Sequence, residues 1–200
     1  NMNIKTMKAE HDIYYQTTYN RWRVNEEKAG KDIVGEEFEK KRRKFYQSFG
    51  FKTSKQKIGS YNPDIVITNK KGEIIVIEED KGHYTDSCFL DRLMMNAARV
   101  FSEYIEKGTQ QDDIPYFVLS CMTKFNGYEN KYELNKNLFS MEIQDVMENK
   151  LIYFPYCDHD RVPAKKYFKN NISCFELSDN LLKKQIKFVS KSLLGGKAWK

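Results

Sequence analysis

Two hundred residues with 40% hydrophobic and 14% aromatic content suffice for one domain with a real core, and they exclude a disordered chain. A net charge of +6 and a pI near 8.9 suit a polyanionic partner without demanding one. No apolar run is long enough to span a membrane and no secretory pattern opens the chain, so a cytoplasmic protein is expected.

Residues 1–31 are polar and mixed, and they read as an arm or a short helix. Arg21, Trp22 and Arg23 combine cations with an aromatic ring, which suits nucleic-acid contact or simple packing on the domain. Residues 32–49 predict the first firm helix: Val34, Phe38, Phe45 and Phe49 fall within about 60° on a 3.6-residue wheel. Gly50 ends it, and Glu36, Lys40, Arg43 and Lys44 point outward. Glu37 and Glu39 flank the apolar stripe, and helix geometry does not choose between them. Residues 51–58 alternate loosely and predict a first strand, with Lys52, Lys55 and Lys57 near the next element.

That next element organises the chain. Residues 64–68 and 73–80 predict two strands rich in Ile and Val, joined by the turn Asn69-Lys70-Lys71-Gly72. A hairpin brings the start of its first strand beside the end of its second. Asp64 therefore meets the run Glu78-Glu79-Asp80-Lys81. Side chains alternate along a strand, so Glu79 and Lys81 share one face while Glu78 and Asp80 share the other. Asp64, Glu79 and Lys81 are then two carboxylates and an amine on one face at the end of an apolar hairpin. Such a cluster is costly unless something neutralises it, and a divalent cation would.

The pattern Pro63-Asp64 … Glu79-Asp80-Lys81 resembles the signature of the PD-(D/E)XK nuclease superfamily, which includes restriction endonucleases and junction resolvases. The resemblance implies an α/β fold: an αβββαβ core whose central mixed sheet is flanked by helices, with C-terminal helical or irregular additions. It implies hydrolysis of phosphodiester bonds in DNA, Mg²⁺ as cofactor with Mn²⁺ as a substitute, and duplex DNA as partner. Asp64 and Glu79 would bind the metal with the backbone carbonyl of Asp80, and Lys81 would activate water or stabilise phosphate. Resolvases of this group carry Gly-x-x-x-Glu in the equivalent helix. Gly35 to Glu39 matches that spacing and nominates Glu39, whose alternative is an ion pair with Arg43 one turn on. Ser60 resembles a serine that resolvases place before Pro-Asp, although the spacing here is one residue shorter. Lys55, Lys57, Ser60 and His83 are the expected nucleic-acid contacts.

Residues 86–107 predict a strong helix, with Asp91 and Glu103 able to satisfy Arg92 and Arg99. Residues 116–121 predict a buried strand, and 122–136 a loop or an extra hairpin around Asn126-Gly127. Leu138, Met141, Ile143, Val146 and Met147 suggest a helix up to Asn149, and 151–154 another strand. Residues 155–172 are basic and irregular, including Arg161, Lys165, Lys166 and Lys169, and fit a substrate grip or a plain surface loop. A basic closing helix over 177–194 precedes a frayed tail. The division expected is a single nuclease domain: an arm over 1–31, a core over 32–121 and substrate-side additions over 122–194.

Cys88, Cys121, Cys157 and Cys174 contain no C-x-x-C pair, so free thiols are expected. Cys157-Asp158-His159-Asp160 lacks the second spaced ligand pair that a zinc site needs. Double-strand cutting would favour a homodimer. A junction-selective nuclease, an RNA endonuclease and a non-cleaving nucleic-acid-binding module are the competing functions.

Overall fold

The computed structural model describes residues 33–81, 87–121, 128–155 and 179–195. Its elements in chain order are α1 (Ile33–Gln47), β1 (Thr53–Ser54), β2 (Ile65–Thr68), β3 (Ile74–Lys81), α2 (Ser87–Glu106), β4 (Tyr116–Cys121), α3 (Tyr128–Lys136), α4 (Met141–Lys150), β5 (Leu151–Pro155) and α5 (Asp179–Phe188). A 3₁₀ turn, Gln111–Asp113, precedes β4, and a π-helical turn, Val189–Leu194, extends α5.

The five strands form one mixed sheet in sequence order, with β1, β2 and β3 antiparallel and β3, β4 and β5 parallel. The α/β class is thus as expected. The β2–β3 turn is closed by Asn69, whose side-chain oxygen accepts from the amides of Lys71 and Glu73 at 2.9 Å each. Gly72 takes φ +84°, the left-handed conformation that a glycine supplies without steric cost. β4 needs no alternation because both of its faces are covered, and five of its six residues are buried.

One face of the sheet carries Val66, Ile77, Phe117 and Leu119 against Leu93, Met94, Ala97, Val100 and Phe101 of α2 and Val146 and Met147 of α4. Each fully buried large side chain here is worth about 1.5–3 kcal/mol of transfer free energy. The other face meets α1, whose Arg42 reaches Glu78, and α5, whose Phe188 ring lies against Tyr116 and Phe154. No helix among the described residues is long and apolar enough to cross a membrane.

Two expectations need correction. The first strand is two residues long, because Ile58 and Tyr61 turn back on each other through reciprocal backbone hydrogen bonds of 2.9 Å. Residues 55–57, Lys-Gln-Lys, have nothing apolar to bury and stay exposed. Residues 128–136 form a helix rather than a loop or hairpin. That helix has no buried residue, so its sequence shows no apolar period. It is held by Lys131 and Asn135, which reach Asp91 at 3.3 and 2.7 Å, and by the Tyr128 ring stacked on Tyr153. Asp91 of α2 thereby anchors α3.

Candidate active site

The register pairs Ile65 with Glu78, which places Asp64 opposite Glu79 at the open end of the β2–β3 pair. Asp64 is fixed there by the Asp80 amide, which donates to its Oδ2 at 2.8 Å. Glu79 and Lys81 follow Ile77 on the α2 face, as alternation requires. Lys81 Nζ lies 3.0 Å from Glu79 Oε1, and the Tyr61 hydroxyl donates to Glu79 Oε2. Asp64, Glu79 and Lys81 thus come together on one face.

Glu39 enters from α1 and completes the rim. It accepts from Arg43 and pairs with Lys55 at 2.7 Å, while Arg43 also reaches the Asp64 carbonyl at 3.3 Å. The two alternatives for Glu39 therefore coexist: it pairs with Arg43, and its charge is felt at Asp64. Arg43 is half-buried rather than outward-facing. Lys55 contacts the rim through Glu39. Lys57 and Ser60 lie exposed in the turn, with no hydrogen bond or ion pair to the carboxylates among the described residues. His83, the Arg21-Trp22-Arg23 segment, the Cys157 cluster and Arg161, Lys165, Lys166 and Lys169 lie outside the described residues.

Burial pushes the Asp64 carboxyl up to about 6, and the Glu79 carboxylate adds to the rise. The Asp80 amide and Lys81 oppose it, and Glu39 contributes a smaller push upward. Two partly buried carboxylates repelling each other are a place where a cation would be favoured. Among the described residues no three His, Cys, Asp or Glu side chains gather as a metal cage. Two carboxylates still fit Mg²⁺, which keeps several waters and takes one or two protein carboxylates rather than a full protein cage. Zinc of the structural kind is a poor fit.

A prediction follows from the direction of the Asp64 shift. The folded, metal-free protein holds this proton more tightly than the unfolded chain, so stability falls as pH rises from about 4 through about 6. The loss is about 2 kcal/mol after allowance for partial solvent contact. Asp64→Asn removes the charge and keeps an acceptor for the Asp80 amide. Urea titrations in EDTA should show its stability advantage over wild type growing across that pH window and levelling above pH 7. A difference that does not change with pH would contradict the assignment.

Sequence reasoning missed the group on the opposite face. Arg42 is fully buried in α1 and forks onto Glu78, with Nε to Oε1 at 2.6 Å and Nη2 to Oε2 at 3.0 Å. Its Nη1 donates to Gln185 of α5 at 2.6 Å, and the Tyr46 hydroxyl donates to Glu78. The signal was legible, since Arg42 falls between Phe38, Phe45 and Tyr46 on the helical wheel. Asp80 sits in this layer too, confirming by parity that its side chain is not in the cluster. Neither of its oxygens accepts a hydrogen bond from a described donor. Burial and the adjacent Glu78 raise its pKa well above the ordinary value, which favours its neutral form. Tyr61 is the other residue missed, and only the turn geometry brings it to Glu79.

The chain matches no protein family model and no curated protein.

Proposed function

We propose that the chain is a metal-dependent endonuclease with a restriction-endonuclease-like core, hydrolysing phosphodiester bonds in DNA as restriction and defence enzymes do. The observation that carries this reading is the convergence of Asp64, Glu79 and Lys81 on one face at the open end of β2 and β3. Phosphodiester hydrolysis needs an activated water and stabilisation of a developing anion. A bound Mg²⁺, or Mn²⁺ in its place, supplies Lewis acidity for both. Asp64 and Glu79 would hold it together with the Asp80 carbonyl. Lys81 then serves the attacking water as base or the phosphate as a positive clamp. Glu39, beside Asp64, adds negative potential at the rim and orders Arg43 and Lys55 toward the incoming backbone.

The test is incubation of the full chain with duplex DNA, single-stranded DNA, four-way junctions and RNA, with Mg²⁺ and with EDTA. Cleavage of duplex DNA in Mg²⁺ alone is the expected result, and Ca²⁺ should support binding with little turnover because it favours looser coordination. Cleavage of RNA alone would overturn the substrate, and no Mg²⁺-dependent cleavage of any polymer would overturn the function. A junction-selective nuclease is the second reading, favoured by the place of Glu39 beside Asp64; preference for the four-way junction would select it.

A further inference from the structure

Tyr61 is held by a device that the nuclease signature does not include. Ile58 and Tyr61 exchange backbone hydrogen bonds of 2.9 Å across Gly59 and Ser60, and Gly59 takes φ +57°. A Cβ on Gly59 would meet the flexible end of Glu103 on α2, so the turn sits close against that helix, and its positive φ favours glycine. The tight turn drives the Tyr61 ring inward, where it is 8% exposed and lies 5.8 Å from the Phe117 ring. Its hydroxyl then ends on Glu79 Oε2, while Lys81 Nζ stands on Oε1.

We propose that Tyr61 is a positioning residue of the metal site, fixing Glu79 by one oxygen so that Oε1 is the oxygen presented to a divalent cation. The proposal rests on the metal-dependent reading of Asp64 and Glu79. A carboxylate on a long side chain has several rotamers, and Lys81 by itself tethers only one oxygen to a flexible amine. The phenol occupies the second oxygen from a rigid ring, which removes the swivel. A cation arriving at Oε1 competes with the Lys81 ammonium for the same atom. Partners that orient a metal ligand characteristically change metal affinity by about 10–100-fold when removed.

Tyr61→Phe deletes one oxygen and leaves the ring. The readout is Mn²⁺ binding to the protein without substrate, by calorimetry or by the free-ion electron paramagnetic resonance signal, beside the unfolding midpoint in EDTA. Tyr61→Phe should weaken Mn²⁺ binding about tenfold or more. Phe154→Leu removes a buried ring on the opposite face of the sheet, where Phe154 packs on Phe188, and should lower the midpoint while leaving Mn²⁺ affinity unchanged. Wild-type affinity in Tyr61→Phe, or an equal loss in Phe154→Leu, would overturn the positioning role. Glu79→Ala separates the two levels. If it binds Mn²⁺ as well as wild type does, the metal reading itself falls; if only Glu79→Ala is impaired and Tyr61→Phe is not, this inference alone falls.

Discussion

Lys81→Ala is expected to lower Mg²⁺-dependent cleavage by about 10³-fold, within the range that a positioned acid–base or charge-stabilising group supplies. The side chain is at the strand end, and its ion pair with Glu79 is reachable by solvent, with 21% of the lysine side chain exposed. Losing such a pair costs about 0–1 kcal/mol, so circular dichroism and the unfolding midpoint should stay close to wild type. Lys81→Arg separates the two roles left open. An arginine keeps the positive charge but cannot give up a proton near neutral pH, so retained activity would mark a clamp and complete loss a base. Cleavage at the wild-type rate by a well-folded Lys81→Ala protein would remove Lys81 from the mechanism.

Arg42→Ala is expected to carry the largest stability effect, a loss of about 3–5 kcal/mol. That is a large share of the roughly 5–15 kcal/mol that holds a domain folded. The substitution deletes both Arg42 contacts to Glu78 and the contact to Gln185, and it leaves the Glu78 carboxylate buried without its cation. Most of the cost is that stranded charge rather than the worth of the pair. Arg42→Met with Glu78→Gln should therefore recover most of the loss, since glutamine still accepts from Tyr46 while carrying no charge. Urea denaturation of the three proteins checks both statements. A single variant within 1 kcal/mol of wild type would show that water reaches this layer and that the ion pair is not dry.

The two variants act on opposite sides of one strand, and β3 shows how much of the site its sequence contained. Alternation alone separated Glu79 and Lys81 from Glu78 and Asp80, because a strand has a fixed period of two and its pleat leaves no other choice. It could not say that Glu78 is neutralised by Arg42, which lies 36 positions upstream. The buried Arg42 was visible as a cation in the middle of an apolar stripe, a pattern that requires a buried acid somewhere. Tyr61 had no such mark. Its role depends on a two-residue turn and on the distance from that turn to Glu79, and neither is a periodic property of the chain. The same limit explains α3. A helix with every side chain at least partly solvated has no hydrophobic period, and its stability comes from contacts to Asp91 and Tyr153 on other elements.

By itself the sequence determined the β2–β3 hairpin, its turn, the face that carries Asp64, Glu79 and Lys81, and the helices whose apolar stripes are regular. All of these follow from local periodicity, which neighbouring residues impose on one another. Only the tertiary structure decided that the Glu39 charge is felt at Asp64 while Glu39 stays paired with Arg43, that Tyr61 holds Glu79, and that Arg42 and Gln185 close the opposite layer. Those arrangements depend on which distant groups share a buried space, where an unpaired charge or donor is too costly to leave alone.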